Sequence, residues 1–277
     1  MCKLHNIPLS ILILFSFFIF PNTIIAEKAP DYTAYYAVIL EQNDFPHPYS
    51  PLAVDFLNSQ KLEAFFQKAG IPEKNIYTRR NGVTQKGISN AFSWLNSRTS
   101  PSDTVFFYIF AHGFYIDEYL EWETGFTPLW LSIPAAKKIL AVDACFGGRF
   151  IESITRTDAD FGILIASCSS DELSWCGLEH EGLPVLGSSW LHFFLQAAED
   201  HNSDTNKDGQ ISLQEAFLNG IGPLQDYMMN TVYSVPEFLK GIHQYGVFPE
   251  LMEGYPNPVF ISSGSGEIPL VRIDSEH

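Results

Sequence analysis

Two side chains able to do covalent chemistry stand at the ends of apolar runs: His112 closes "FFYIFA" and Cys145 closes "ILAVDA". A run that apolar reads as a strand buried on both faces, and a strand that stops at an imidazole delivers it to an opening. In an open parallel sheet that opening is the crevice beyond the carboxyl ends of the strands. The 33 residues from His112 to Cys145 accommodate one crossover, so the two strands can be neighbours about 4.8 Å apart, with thiol and imidazole facing one crevice. The thiol is then a nucleophile, which the imidazole can hold as thiolate or assist by protonating a leaving amine. Gly113 and the backbone of Cys145 offer N–H donors to a developing oxyanion, and Gly147-Gly148 would let a substrate backbone approach closely.

The rest of the chain alternates in a way that can position such a pair. "AYYAVIL" from Ala34 is strand-like, and Leu52 to Gly70 carries apolar residues at helical spacing. "NIYTR" follows as a short strand, and Thr84 reads as the N-cap of a helix through "KGISNAFSWLNS". "DTVFFYIFA", "AAKKILAVDAC" and "FGILIASC" supply three more strands, and "SSWLHFFLQAAED" another helix. Strands alternating with helices predict an α/β domain with a mostly parallel sheet covered on both faces. The stretch from Phe114 to Pro134 reads as a loop inserted after the third strand, rich in aromatic residues.

"FYIFAHG" and "VDACFGG" together resemble the signature of the caspase–legumain superfamily of cysteine peptidases, in which one strand ends in His-Gly and another in Asp-Ala-Cys. The similarity runs from about Ala34 to Phe217 and extends to secreted bacterial legumain-like members. The resemblance implies a caspase-like three-layer α/β/α sandwich and hydrolysis of a protein or peptide substrate through a thioester. His112 and Cys145 would be the dyad, with Gly113 in the oxyanion hole. Ala111 and Phe146-Gly147 depart from the serines usual before His-Gly and after the cysteine. Relatives place the pocket for the residue before the scissile bond in the stretch matching Ile165–Trp175. Asp171 and Glu172 there would make it acidic and favour Arg or Lys, although an Asn preference stays open. Transpeptidation through the same thioester and a calcium-stabilised, peptide-binding pseudoenzyme are the rival readings.

Lys3, the apolar run Ile7–Phe20 and the small-residue site at Ala26 read as a signal peptide over residues 1–26, leaving one domain from 27 to 277 in a secreted or periplasmic setting. In an oxidising compartment Cys168 and Cys176 could pair as a disulfide, leaving Cys145 free. A formal charge of −16 argues against nucleic acid or anionic lipid as partners, and no later segment has transmembrane character. "DTNKDGQISLQE" fits an EF-hand calcium loop, with Asp204, Asn206 and Asp208 at positions 1, 3 and 5, Gly209 at 6, Gln210 giving its carbonyl and Glu215 at 12. A single loop of this kind is expected to stabilise rather than signal. Nothing in the sequence sets an oligomeric state.

Overall fold

The computed structural model describes residues 32–272 except 53, 158, 177–185, 237–255 and 265. The predicted signal peptide lies outside the described residues. Six strands form the main sheet: β1 (Tyr35–Glu41), β2 (Ile76–Arg80), β3 (Thr104–Phe110), β4 (Lys137–Asp143), β5 (Ile163–Ala166) and, after a small outlying strand β6 (Gln210–Ser212), β7 (Val259–Ser262). Their order is β2-β1-β3-β4-β5-β7. The first five run parallel, and β7 closes the β5 edge antiparallel. β3 is buried at every position because it is central, which is why its sequence shows no polar alternation.

Side-chain alternation divides the core in two. Phe106, Tyr108 and Phe110 of β3 point with Ile139 and Ala141 of β4 into a core covered by α1 (Leu57–Lys68), α6 (Ser189–Glu199) and α7 (Leu213–Tyr227). Val105, Phe107 and Ile109 point the other way, under α2 (Gln85–Asn96), α3 (Gly113–Tyr119), α4 (Thr127–Leu131) and α5 (Gly147–Thr155). This is the expected three-layer sandwich. Local chemistry sets the helix starts: Thr84 accepts from Gly87 N at 3.0 Å and Ser188 from Leu191 N at 3.2 Å, while Ser212 and Glu215 form a reciprocal capping box on α7.

The expected loop after β3 is instead helical. α3, a π-type turn over Trp122–Phe126 and α4 follow one another. Tyr115, Trp122, Phe126 and Trp130 are all buried in the second core. Trp122 stacks on Phe126 with ring centroids 4.2 Å apart, and the indole N–H groups of Trp122 and Trp130 donate to Phe150 O and Phe161 O. The aromatic residues of the expected loop therefore pack the core.

Candidate active site

Residue pairing along β3 and β4 brings His112 and Cys145 to the same rim. Phe110 lies opposite Asp143, the last pair in the register. His112 and Cys145 each come two residues later, so both leave the sheet on the face of Tyr108 and Asp143. The two crossovers touch directly: a Cβ on Gly113 would sit 1.9 Å from the Cys145 carbonyl oxygen. Only glycine allows that approach, and it brings Gly113, the first residue of α3, against the nucleophile's own peptide. Its N–H is among the helix-terminal amides that have no intrahelical acceptor. After Cys145 the chain turns through Phe146 in the left-handed region, φ 61°, into α5.

The imidazole is held from three sides. His112 Nε2 lies 3.0 Å from Ser50 O. A carbonyl can only accept, so Nε2 carries the proton and Nδ1 is the acceptor. Phe45 packs on the ring at 4.7 Å between centroids and Tyr49 stacks at 6.2 Å; both rings also meet Tyr115 of α3. Tyr49 Oη donates to Glu118 Oε2 at 2.5 Å, fastening the β1–α1 loop to α3. Burial in this aromatic box lowers the imidazole pKa, opposed by the Ser50 hydrogen bond. Sequence reasoning missed Ser50, Tyr49 and Phe45: a backbone carbonyl leaves no residue-type signature, and the two rings lie in a loop of no regular period.

Cys145 is half-buried, and its thiol donates to Ser174 O at 3.5 Å. Burial pushes it up to about 11, outweighing the Ser174 hydrogen bond, and the Asp143 charge adds to the rise. Burial thus favours the neutral form of both the thiol and the imidazole.

Beneath the sulfur lies an acidic group that sequence reasoning passed over. Asp143 is 0% exposed; Tyr108 Oη donates to its Oδ2 at 2.8 Å and Ser174 Oγ to its Oδ1 at 3.1 Å. Burial raises its pKa against hydrogen bonds from Ser188, Tyr108, Ser167 and Ser174. Glu41, at the end of β1, is equally buried and accepts from Ser59 N at 2.7 Å and Asn58 Nδ2 at 3.1 Å; burial raises it too. None of the ion pairs among the described residues involves either carboxyl.

Three expectations are corrected here. Glu172 does not line an open pocket: it is buried, and its carboxylate accepts from Ser169 N, Asn257 N and Asn257 Nδ2 at 3.0, 2.7 and 2.6 Å. Asp171 is exposed and accepts from Ser169 Oγ at 2.9 Å. Cys168 and Cys176 are free thiols and form no disulfide. Cys168 is fully buried, its Sγ 3.3 Å from both Ala144 O and Glu172 O, whereas Cys176 packs against the first core. Gly147 and Gly148, finally, make room for the chain rather than for substrate. A Cβ on Gly148 would lie 2.8 Å from Ser170 N, and one on Gly147 3.1 Å from Val142 O.

The candidate calcium residues do gather in one loop. Asp204 accepts from Asp208 N and Gly209 N at 3.1 and 3.0 Å, Asn206 from Asp208 N at 2.9 Å, and Asp208 from Gln210 N at 2.9 Å. Gly209 takes φ 83°, the sharp turn the pattern demands. Glu215 reaches back to Thr205 N and Asn206 N at 2.9 and 3.1 Å. Among the described residues no three His, Cys, Asp or Glu side chains converge as a ready cluster. The loop does contain a buried acceptor without a partner, Gln210 Oε1. Its strand β6 pairs antiparallel with β8 (Pro269–Arg272), Ile211 opposite Val271, in place of a second loop.

A single-chain fold with thiol and imidazole on adjacent strand ends defines a class, and the comparisons place the chain within it. The family model described as "Caspase domain" matches residues 34–219, so the chain belongs to the caspase-domain family of cysteine peptidases. A crystal structure of caspase-1 from Spodoptera frugiperda superposes with a TM-score of 0.53 at 12% identity, covering 89% of this chain and 93% of that one. At that identity the likeness speaks for the fold. No curated protein sequence matches.

Proposed function

We propose that the protein is a cysteine endopeptidase in which Cys145 attacks the scissile carbonyl and His112 manages the proton. The observation that carries this reading is the equal register of the two residues past the β3–β4 pair, with Gly113 against the Cys145 peptide. The neutral imidazole, protonated at Nε2 by its bond to Ser50 O, takes the thiol proton on Nδ1 as sulfur attacks and returns it to the leaving amine. Backbone N–H groups of Gly113 and Cys145 stabilise the oxyanion. Water then hydrolyses the thioester.

The residue before the scissile bond is basic in this reading, through Asp143 and Glu41 rather than Asp171 and Glu172. Two buried carboxyls with no protein cation are costly to ionise. A guanidinium or ammonium entering from a substrate would supply the missing charge. Entry requires Ser174 to yield, since its carbonyl and hydroxyl occupy Cys145 and Asp143. Cleavage of a mixed peptide library, read by mass spectrometry, tests both parts. Cleavage after Arg or Lys, abolished in Cys145→Ala, supports them; cleavage after apolar residues rejects the acidic site, and cleavage retained in Cys145→Ala rejects the peptidase.

The loop Asp204–Glu215 is proposed to bind calcium through Asp204, Asn206, Asp208, Glu215 and the Gln210 carbonyl, joining α6 to α7 at a distance from the dyad. The positive-φ Gly209 and the Asp204, Asn206 and Asp208 side chains folded around its turn support this assignment. The peptidase is proposed to act in a secreted or periplasmic setting, where calcium is plentiful.

A further inference from the structure

Phe114, two residues after His112, and Phe146, directly after Cys145, meet. Phe114 and Phe146 pack edge to face with centroids 5.1 Å apart. Phe114 is 56% exposed, whereas its neighbours Tyr115 and Ile116 turn into the core. Three positions further along each helix, Arg149 of α5 and Asp117 of α3 form an ion pair at 2.8 Å. The two helix starts are thus tied together, and the aromatic pair stands as a fixed apolar ledge next to the Gly113–Cys145 contact.

We infer that Phe114 and Phe146 form the subsite for the residue on the leaving-group side of the scissile bond, selecting a large apolar side chain. The inference rests on the peptidase reading. If His112 protonates the leaving amine, the residue carrying that amine must pass His112–Gly113, and Phe114 is the next side chain in its path. The acidic residues Asp143 and Glu41 lie on the opposite core face and serve the acyl side. Covering exposed Phe114 and half-buried Phe146 with a Leu or Phe side chain removes apolar surface from water, and contacts of this size discriminate by about tenfold or more.

The test is a positional scan on both sides of the cleaved bond, comparing the native protein with Phe114→Ala and Phe114→Leu, beside labelling of Cys145 by a peptidyl electrophile that carries no leaving-group residue. The expected result is a native preference for Leu or Phe over Gly just after the cleaved bond. That preference should fall about tenfold in Phe114→Ala, carried by KM or kcat/KM, and be largely restored in Phe114→Leu, while the profile before the bond stays the same. Labelled Cys145 with an unchanged profile in Phe114→Ala, or a change confined to positions before the bond, overturns this inference and leaves the peptidase reading standing. No labelling and no cleavage overturns both.

Discussion

His112 owes its working state to what surrounds it rather than to its own side chain. Burial beside Phe45 and Tyr49 favours the neutral ring, so its folded pKa lies below the ordinary histidine value near 6.5. The acid limb of kcat/KM, where protonation of this ring removes the base, should therefore fall below about pH 6.5. Tyr49→Ala admits water to the ring and should move that limb upward, while Tyr49→Phe, which keeps the stack, should not; a pH–rate profile of the three proteins decides it. Burial pushes the Cys145 thiol up to about 11, which favours its protonated form at neutral pH. Its alkylation by iodoacetamide in the ligand-free protein should accelerate as pH climbs from 7 toward 10, and fast labelling below pH 7 would contradict the neutral thiol. Gly113→Ala would place a methyl 1.9 Å from the Cys145 carbonyl, an atom of the backbone that cannot swing aside. Loss of kcat by about two orders of magnitude is expected, comparable with losing an oxyanion donor.

At the scale of elements, periodicity told much and stopped where two kinds of burial look alike. The five parallel strands and the helices begun at Thr84 and Ser188 were readable because apolar runs and N-caps are local signals. The Phe114–Pro134 stretch was not, because its short helices bury rings by tertiary packing that no window reveals. Glu172 and Cys176 were misplaced for a related reason: the sequence shows which residues follow β5 but not which face each reaches. β7 was missed because its four residues gain strand character only by pairing with β5. The element that packs the second core can be tested on Trp130, which is 0% exposed and bonded to Phe161 O. Trp130→Ala should cost about 3–5 kcal/mol in urea unfolding, whereas the loop reading would predict almost none.

Across the whole molecule, the calcium loop and the dyad sit on different parts of the chain, so metal should act on stability before chemistry. A bound ion at one hundred times its Kd adds about 2.7 kcal/mol. Calcium should therefore raise Tm by several degrees, and Asp208→Ala, a change at an exposed position, should remove that response. Glu215 supplies a metal-free counterpart. Burial alone would raise its pKa, but hydrogen bonds from Ser212, Asn206 and Thr205 outweigh it and hold it below the usual value. A depressed folded pKa gives stability that is present above the unfolded pKa of about 4.3 and is lost as pH falls through the folded value. The account as a whole depends on the sulfur of Cys145 carrying the acyl group. Intact-mass analysis of acid-quenched protein mixed with a basic-residue peptide ester should show one acyl adduct, mapped to Cys145 and missing in His112→Ala at neutral pH. An adduct on Cys168 or Cys176, or turnover with no adduct in a protein whose Cys145→Ala variant still cleaves, would contradict it.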